Sequence, residues 1–210
     1  MYRYFKRWLD FFISLIAIAL LAPVLIILMI LIRIRLGGPV FFTQERPGLG
    51  GRAFKMVKFR SMTNERDKRG ELLADQLRIT SLGRFIRRTS LDELPELVNV
   101  LRGNMSLIGP RPLLMKYLPY YTAREMKRHE VRPGITGWAQ VNGRNLLNWD
   151  KRLEMDVEYV ERLSFGLDIR ILFKTFGEVL GQHDVLEVSS ETVPDFDDYR
   201  KQKQSPTHEN

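Results

Sequence analysis

The chain has no cysteine, which excludes disulfides, thiol catalysis and cysteine-ligated metals. Its three histidines, His129, His183 and His208, stand far apart, so neither a histidine metal site nor a histidine-based triad is expected. The glycines at 48, 50 and 51 are not followed by a lysine in the GxxxxGK[ST] pattern, and they predict a tight turn rather than a phosphate loop. There is no internal repeat. Negative charge is in deficit, 25 acidic against 33 basic side chains for a net charge of +8. The expected partners are therefore anionic: nucleic acid, anionic lipid or phosphorylated substrates. A length of 210 residues suits one ordinary domain with a small appendage.

One stretch has no charge at all. From Phe11 to Ile32 the chain reads FFISLIAIALLAPVLIILMILI, which as a straight helix would reach about 33 Å, enough for a bilayer core of roughly 30 Å. Small residues at Ala17 and Ala19 are followed by a long apolar continuation, which argues against a cleaved signal peptide. Pro23 sits at the midpoint, where it removes a helical hydrogen bond and disfavours helical angles at Ala22. Arg3, Lys6 and Arg7 precede the run, and Arg33 and Arg35 follow it. Basic flanks on both sides ask for both ends on the cytoplasmic face. The expectation is a re-entrant helix-break-helix over residues 1–36, with the break at Ala22 and Pro23, rather than a simple span.

Downstream, Gly37 to Pro39 mark a turn, and VFFTQERPGLGGRAFKMVKFRSM reads as a β-hairpin closed by the glycine loop. Thr80 and Ser81 are candidate caps of a helix whose Arg84, Arg87 and Arg88 share one face. Ser90 and Glu93 have the spacing of a capping box. Pro95 favours instead a helix starting at Asp92 and ending near Gly103. Pro110 and Pro112 stiffen the backbone around Arg111, which suits anion capture. Residues 131–145 are a polar, glycine-rich loop bearing Arg132 and Arg144. An amphipathic helix follows from Trp149, with its charges on the solvent face. Residues 164–180 mix large apolar side chains with Arg170 and Lys174, as an interfacial helix or a core helix would. Residues 188–210 are polar and predict a disordered tail. The fold class is α+β: a membrane hairpin, a mainly helical catalytic domain over 37–187 with a small β-hairpin and interfacial amphipathic helices, then the tail.

Asp92 and Glu93 thus stand at a helix start among Lys58, Arg60, Arg87, Arg88, Arg111, Arg132 and Arg144. A carboxylate is a competent nucleophile toward phosphorus when cations neutralise the phosphate it attacks. A second carboxylate suits Mg²⁺, which takes one or two carboxylates and completes its shell with water and substrate oxygens. The residues alone point to phosphoryl transfer at a membrane surface.

KFRSM (58–62), LGRFIRRTSLDELPELVNVLRGNMSLIGPRP (82–112) and VRPGITGWAQVNGR (131–144) resemble the bacterial sugar transferase family, the monotopic phosphoglycosyl transferases, in its short form. The likeness covers residues 1 to 187. It implies that Asp92 attacks the β-phosphate of a UDP-sugar, releases UMP and passes the phosphosugar to undecaprenyl phosphate. It implies equally that Glu93, with Asp92, binds Mg²⁺. Short relatives suggest an N-acetylated deoxysugar donor such as UDP-N,N'-diacetylbacillosamine, in protein glycosylation at the bacterial cytoplasmic membrane, with the catalytic domain on the cytoplasmic face. The basic residues named above become phosphate and nucleotide ligands. Membrane lipid is a partner, a homodimer is allowed, and nucleic acid is not expected. The chain departs from the family pattern at Ala22, usually serine, at Asn104, usually aspartate, and at Glu96, usually glutamine and here expected to be exposed. The rival reading is a non-catalytic membrane-surface protein that binds anionic lipid. It leaves unexplained two carboxylates set among the cations.

Overall fold

The computed structural model describes residues 2–143, 147–180 and 194–204. The chain divides into two compact units. One consists of Met1–Lys6, Glu45–Phe54 and Asn104–Asn210; the other of Arg7–Gln44 and Lys55–Gly103.

The second unit is built on α1 from Arg7 onward; the helix as a whole, Tyr2–Arg35, is 34 residues long and as a straight rod would measure about 51 Å. The expected break is absent. The helix runs through Ala22 and Pro23 without interruption, because a proline forfeits its own N–H bond and can bend a helix without ending it. Its middle is bare: Leu15, Ile16, Leu20, Ile26 and Ile27 are exposed, and the segment's mean hydropathy of 3.3 is high enough for a membrane span. Two stretches on either side of this middle, by contrast, pack within the second unit. Near the start, the Arg7 guanidinium donates to the carbonyls of Val100 and Leu101, each at 2.7 Å. Near the finish, Leu28, Ile32 and Leu36 form a core with Phe59 and Ile86, joined by Leu91 and Leu94.

The predicted hairpin is present as β1 (Phe41–Pro47) and β2 (Ala53–Phe59). Gly50 and Gly51 make its turn at positive φ, a conformation that costs glycine little. The hairpin's tip belongs to the first unit and its base to the second. After a short helix α2 (Asp75–Arg78), α3 spans Ser81–Arg88. Thr80 caps α3 as expected, its hydroxyl accepting from the Gly83 N–H at 3.1 Å. Gly83 lets α3 lie against the Ser61 carbonyl, which a Cβ at that position would meet at 1.9 Å. A 3₁₀ turn, Leu91–Glu93, leads to α4, Glu96–Leu101.

In the first unit, β3 (Ser106–Ile108) and β4 (Gly134–Thr136) pair in parallel, Ser106 opposite Gly134 and Ile108 opposite Thr136. They pack with α5 (Trp149–Glu161) and α6 (Phe165–Leu180) through Ile108, Val131, Tyr159, Val160 and Ile171. Asn148 caps α5 by accepting from the Lys151 N–H. The core reading of α6 holds for one of its faces. Asp168 and Ile171 are buried, whereas Phe165, Leu172, Phe173 and Phe176 form an exposed apolar stripe. Asp168 accepts from Tyr2, Lys6 and Tyr159 at 2.5, 2.7 and 2.8 Å.

The tail is corrected over part of its length. Residues 196–204 form a helix, α7 (Phe196–Gln204), whose Phe196 is fully buried among Leu113, Tyr117, Trp149 and Leu153. Its ring lies 5.2 to 5.5 Å from those of Trp149, Tyr121 and Tyr117. One aromatic anchor outweighs the polar composition around it. Residues 188–193 and 205–210 lie outside the described residues.

Candidate active site

Asp92 and Glu93 sit on the 3₁₀ turn that precedes α4. The capping box does not form. Ser90 is held at a left-handed φ of 55° and makes no side-chain cap bond, while Pro95 takes the N-cap position of α4. The helix therefore begins four residues later than Asp92, and the carboxylates project from a tight turn. Leu91 and Leu94, on either side of the pair, are packed into the core that α1 helps to build.

Lys58, near the end of β2, faces this turn. Its ammonium lies 2.7 Å from Glu93, 3.2 Å from Glu96 and 4.0 Å from Asp92. Asn99 fixes the register between strand and helix. Its side-chain oxygen accepts from the Val57 N–H at 3.0 Å, and its amide donates to the Lys55 carbonyl at 2.8 Å. The Asp92 and Glu93 side chains keep 15% and 17% of their exposure, so they are sheltered yet open to a ligand. Glu96 is not exposed as expected but 1% accessible. It stands on the first turn of α4, on the face turned toward Lys58, and shares that cation with the pair. The signal for it was present, since Glu96 lies beside buried Leu97 and one turn before buried Asn99 and Val100.

The basic residues divide sharply. Arg60 is buried and spends its guanidinium on backbone, donating to the carbonyls of Met62 and Gly38 at 2.7 and 2.6 Å. Burial, with Arg78 nearby, lowers its pKa. It is a structural residue rather than the expected phosphate ligand. Arg87 is anchored through Nε to the Ser61 hydroxyl at 2.8 Å, and its neighbour Arg88 is exposed. Both belong to the unit that holds Asp92. Arg111 and Arg132 are half-buried in the other unit. The Arg111 carbonyl accepts from Arg128 at 2.7 Å, which holds the stretch between its two prolines in place. Arg144 lies outside the described residues.

Sequence reasoning missed the layer behind Arg111. Arg128 donates to Asp156 on α5 at 2.8 and 3.1 Å, and both are buried. The charges of α5 are thus not all on its solvent face: Asp156 falls between Leu153, Val157 and Val160 on the apolar one. Such a position demands a partner. Burial lowers the Arg152 guanidinium, against the pull of Asp156 and with the like charges of Arg111 and Arg128.

No three acidic or histidine side chains among the described residues converge as metal ligands. Two adjacent carboxylates, hard oxygen donors with partial exposure, still match what Mg²⁺ asks of a protein when water and substrate oxygens complete its shell. The residues present fit that ion.

The sequence matches the family model described as bacterial sugar transferase over residues 1–182. It is 48% identical over 191 residues to a Bacillus subtilis protein named uncharacterized sugar transferase EpsL, covering 91% of this chain and 95% of that one. It is 44% identical to the UDP-glucose:undecaprenyl-phosphate glucose-1-phosphate transferase of Xanthomonas campestris, over 84% of this chain but 39% of the relative. A third relative, from Aeromonas hydrophila, is a UDP-N-acetylgalactosamine-undecaprenyl-phosphate N-acetylgalactosaminephosphotransferase, 40% identical over 85% of this chain and 44% of its own length. The chain belongs to the bacterial sugar transferase family. It spans less than half of the two relatives whose names state a substrate.

Proposed function

We propose that the protein transfers a sugar 1-phosphate from a UDP-sugar to undecaprenyl phosphate through a covalent intermediate on Asp92. The observation that carries this reading is the sheltered Asp92–Glu93 pair held on Lys58, in a chain of the sugar transferase family. An Asp92 carboxylate oxygen attacks the β-phosphorus, and the bond from that phosphorus to the oxygen bridging the two phosphates breaks. UMP leaves with the bond's electron pair. A phosphate oxygen of undecaprenyl phosphate then attacks the same phosphorus, the acyl phosphate bond breaks, and the Asp92 carboxylate is restored. The product is a lipid diphosphate sugar. Glu93, with Asp92, would hold Mg²⁺, which when bound supplies neutralisation of phosphate charge. Arg87 and Arg88, which belong to the same unit as Asp92, would bind the phosphates and nucleotide. The donor is a UDP-sugar of the N-acetylated deoxysugar class.

Support for the membrane arrangement comes from α1. A straight span would place its ends on opposite sides of a bilayer, yet Arg7 and the Leu28–Leu36 segment both meet the second unit. That supports a re-entrant path bent at Pro23, with the catalytic residues on the cytoplasmic face of the bacterial inner membrane. The exposed stripe of α6, beside Arg170 and Lys174, suits the bilayer interface. Release of UMP by purified protein, given Mg²⁺, undecaprenyl phosphate and a panel of UDP-sugars, tests the function. Lipid-dependent release from one donor, absent in Asp92→Asn, is the expected result. No release from any donor, with liposome binding intact, would favour the lipid-binding reading.

A further inference from the structure

The four last carbonyls of a helix have no partner within it. In α4 the Val100 carbonyl accepts from the Gly103 N–H at 2.9 Å and also from Arg7 of the membrane helix, and the Leu101 carbonyl accepts from Arg7, each Arg7 bond at 2.7 Å. Gly103 makes room for this. It turns the chain at a φ of +81°, and a Cβ there would stand 3.3 Å from the Arg7 Nη2. The face of α1 that follows Arg7 is buried as well, with Asp10 4% and Ser14 0% accessible, while Trp8, Phe12, Ile13 and Leu15 on other faces are exposed. The first leg of α1 is therefore seated on the protein along a polar stripe.

The other end of α1 holds the opposite end of the same short segment. Leu28, Ile32 and Leu36 pack with Phe59, Leu91 and Leu94. These are the residues flanking Lys58 on the strand and enclosing Asp92 and Glu93 on the turn. Glu96 to Leu101 is six residues, about 9 Å of helix. So short a rod passes a displacement at one end to the other without slack.

The geometry points to Arg7 as a positioning residue of the site: by capping α4 from the membrane helix it fixes the turn that carries Asp92 and Glu93. This rests on the reading of Asp92 as the nucleophile. α1 is then part of the frame of the active site as well as its anchor. A carboxylate misplaced by about 1 Å loses roughly a hundredfold in rate without losing its substrate.

The test uses the full chain in lipid nanodiscs, as wild type, Arg7→Met and Arg7→Lys. Three quantities are read: hydrogen exchange of the peptide spanning residues 91–103, and kcat and KM for UMP release. Arg7→Met is expected to stay in the nanodisc, to exchange faster over 91–103, and to lose about tenfold or more in kcat with KM for the UDP-sugar within twofold. Arg7→Lys, which keeps a charge that can reach one carbonyl, is expected to recover part of both. Unchanged exchange over 91–103, or a KM rise at constant kcat, would overturn the inference. Faster exchange over 91–103 in Arg7→Met, alongside a wild type that releases no UMP, would uphold the coupling and count against the nucleophile instead.

Discussion

Arg128 and Asp156 form an ion pair sealed from water, the guanidinium donating to one carboxylate oxygen at 2.8 Å with side-chain exposures of 2% and 4%. Burial raises the Asp156 carboxyl above its usual range, and the Arg128 guanidinium offsets only part of that rise. The same Arg128 nitrogen also donates to the Arg111 carbonyl, so the pair supports the proline-bounded stretch that carries Arg111. Removing one partner strands the other charge. Asp156→Ala is expected to cost about 3–5 kcal/mol, read as a large fall in Tm.

His129, next in the chain, is 5% exposed. Burial first, and then the adjacent Arg128 charge, pull its pKa down from 6.5 to about 4. The unfolded chain therefore binds a proton near pH 6.5 that the folded protein refuses until about pH 4. The stabilisation is complete above pH 6.5 and is lost as pH falls toward 4. It amounts to about 3 kcal/mol at most. Melting curves from pH 7.5 to 4.5 should show wild type losing more Tm than His129→Phe. Parallel pH dependence in the two proteins would contradict this.

Phe196 anchors α7 in the ring cluster of Tyr117, Tyr121 and Trp149. Lys116 holds Asp195 and Asp197 beside it, and Asp150 receives Lys203 and Tyr199. Phe196→Ala is expected to cost roughly 3–5 kcal/mol and to make the bond after Lys201 an early tryptic site. A truncation before Pro194 should show the same fall in Tm.

The basic residues should separate by readout. Arg60→Met leaves the Gly38 and Met62 carbonyls without their donor and is expected to lose about 1–3 kcal/mol of stability. Arg88→Ala, on an exposed position, should leave Tm within the spread of surface substitutions, about 0.5 kcal/mol, while raising KM for the UDP-sugar. Equal effects of both variants on Tm would contradict the division.

Local rules carried the hairpin, the Thr80 cap and the amphipathic helix from Trp149 directly from sequence to structure. Elsewhere the chain obeyed two rules that compete. At Ser90 the capping-box spacing lost to Pro95, and the backbone answered with a left-handed residue and a 3₁₀ turn. Glu96 and Asp156 are charges on apolar helix faces, legible as buried pairs once the face is drawn, though their partners Lys58 and Arg128 come from distant elements. Phe196 was invisible for another reason: its pocket is assembled from residues 113 to 153, and polar neighbours hide a single aromatic in any average of composition. At Pro23 the expected break in the apolar segment did not form, and the helix is continuous there.

The most direct test of the central claim is intact-protein and peptide mass spectrometry after incubation with the UDP-sugar donor and Mg²⁺ in the absence of undecaprenyl phosphate. Stoichiometric UMP release is expected, with a sugar-phosphate adduct on the peptide containing Asp92 that is discharged when undecaprenyl phosphate is added and is absent in Asp92→Asn. UMP released only when donor and lipid acceptor are both present, with no adduct at any time, would contradict the claim.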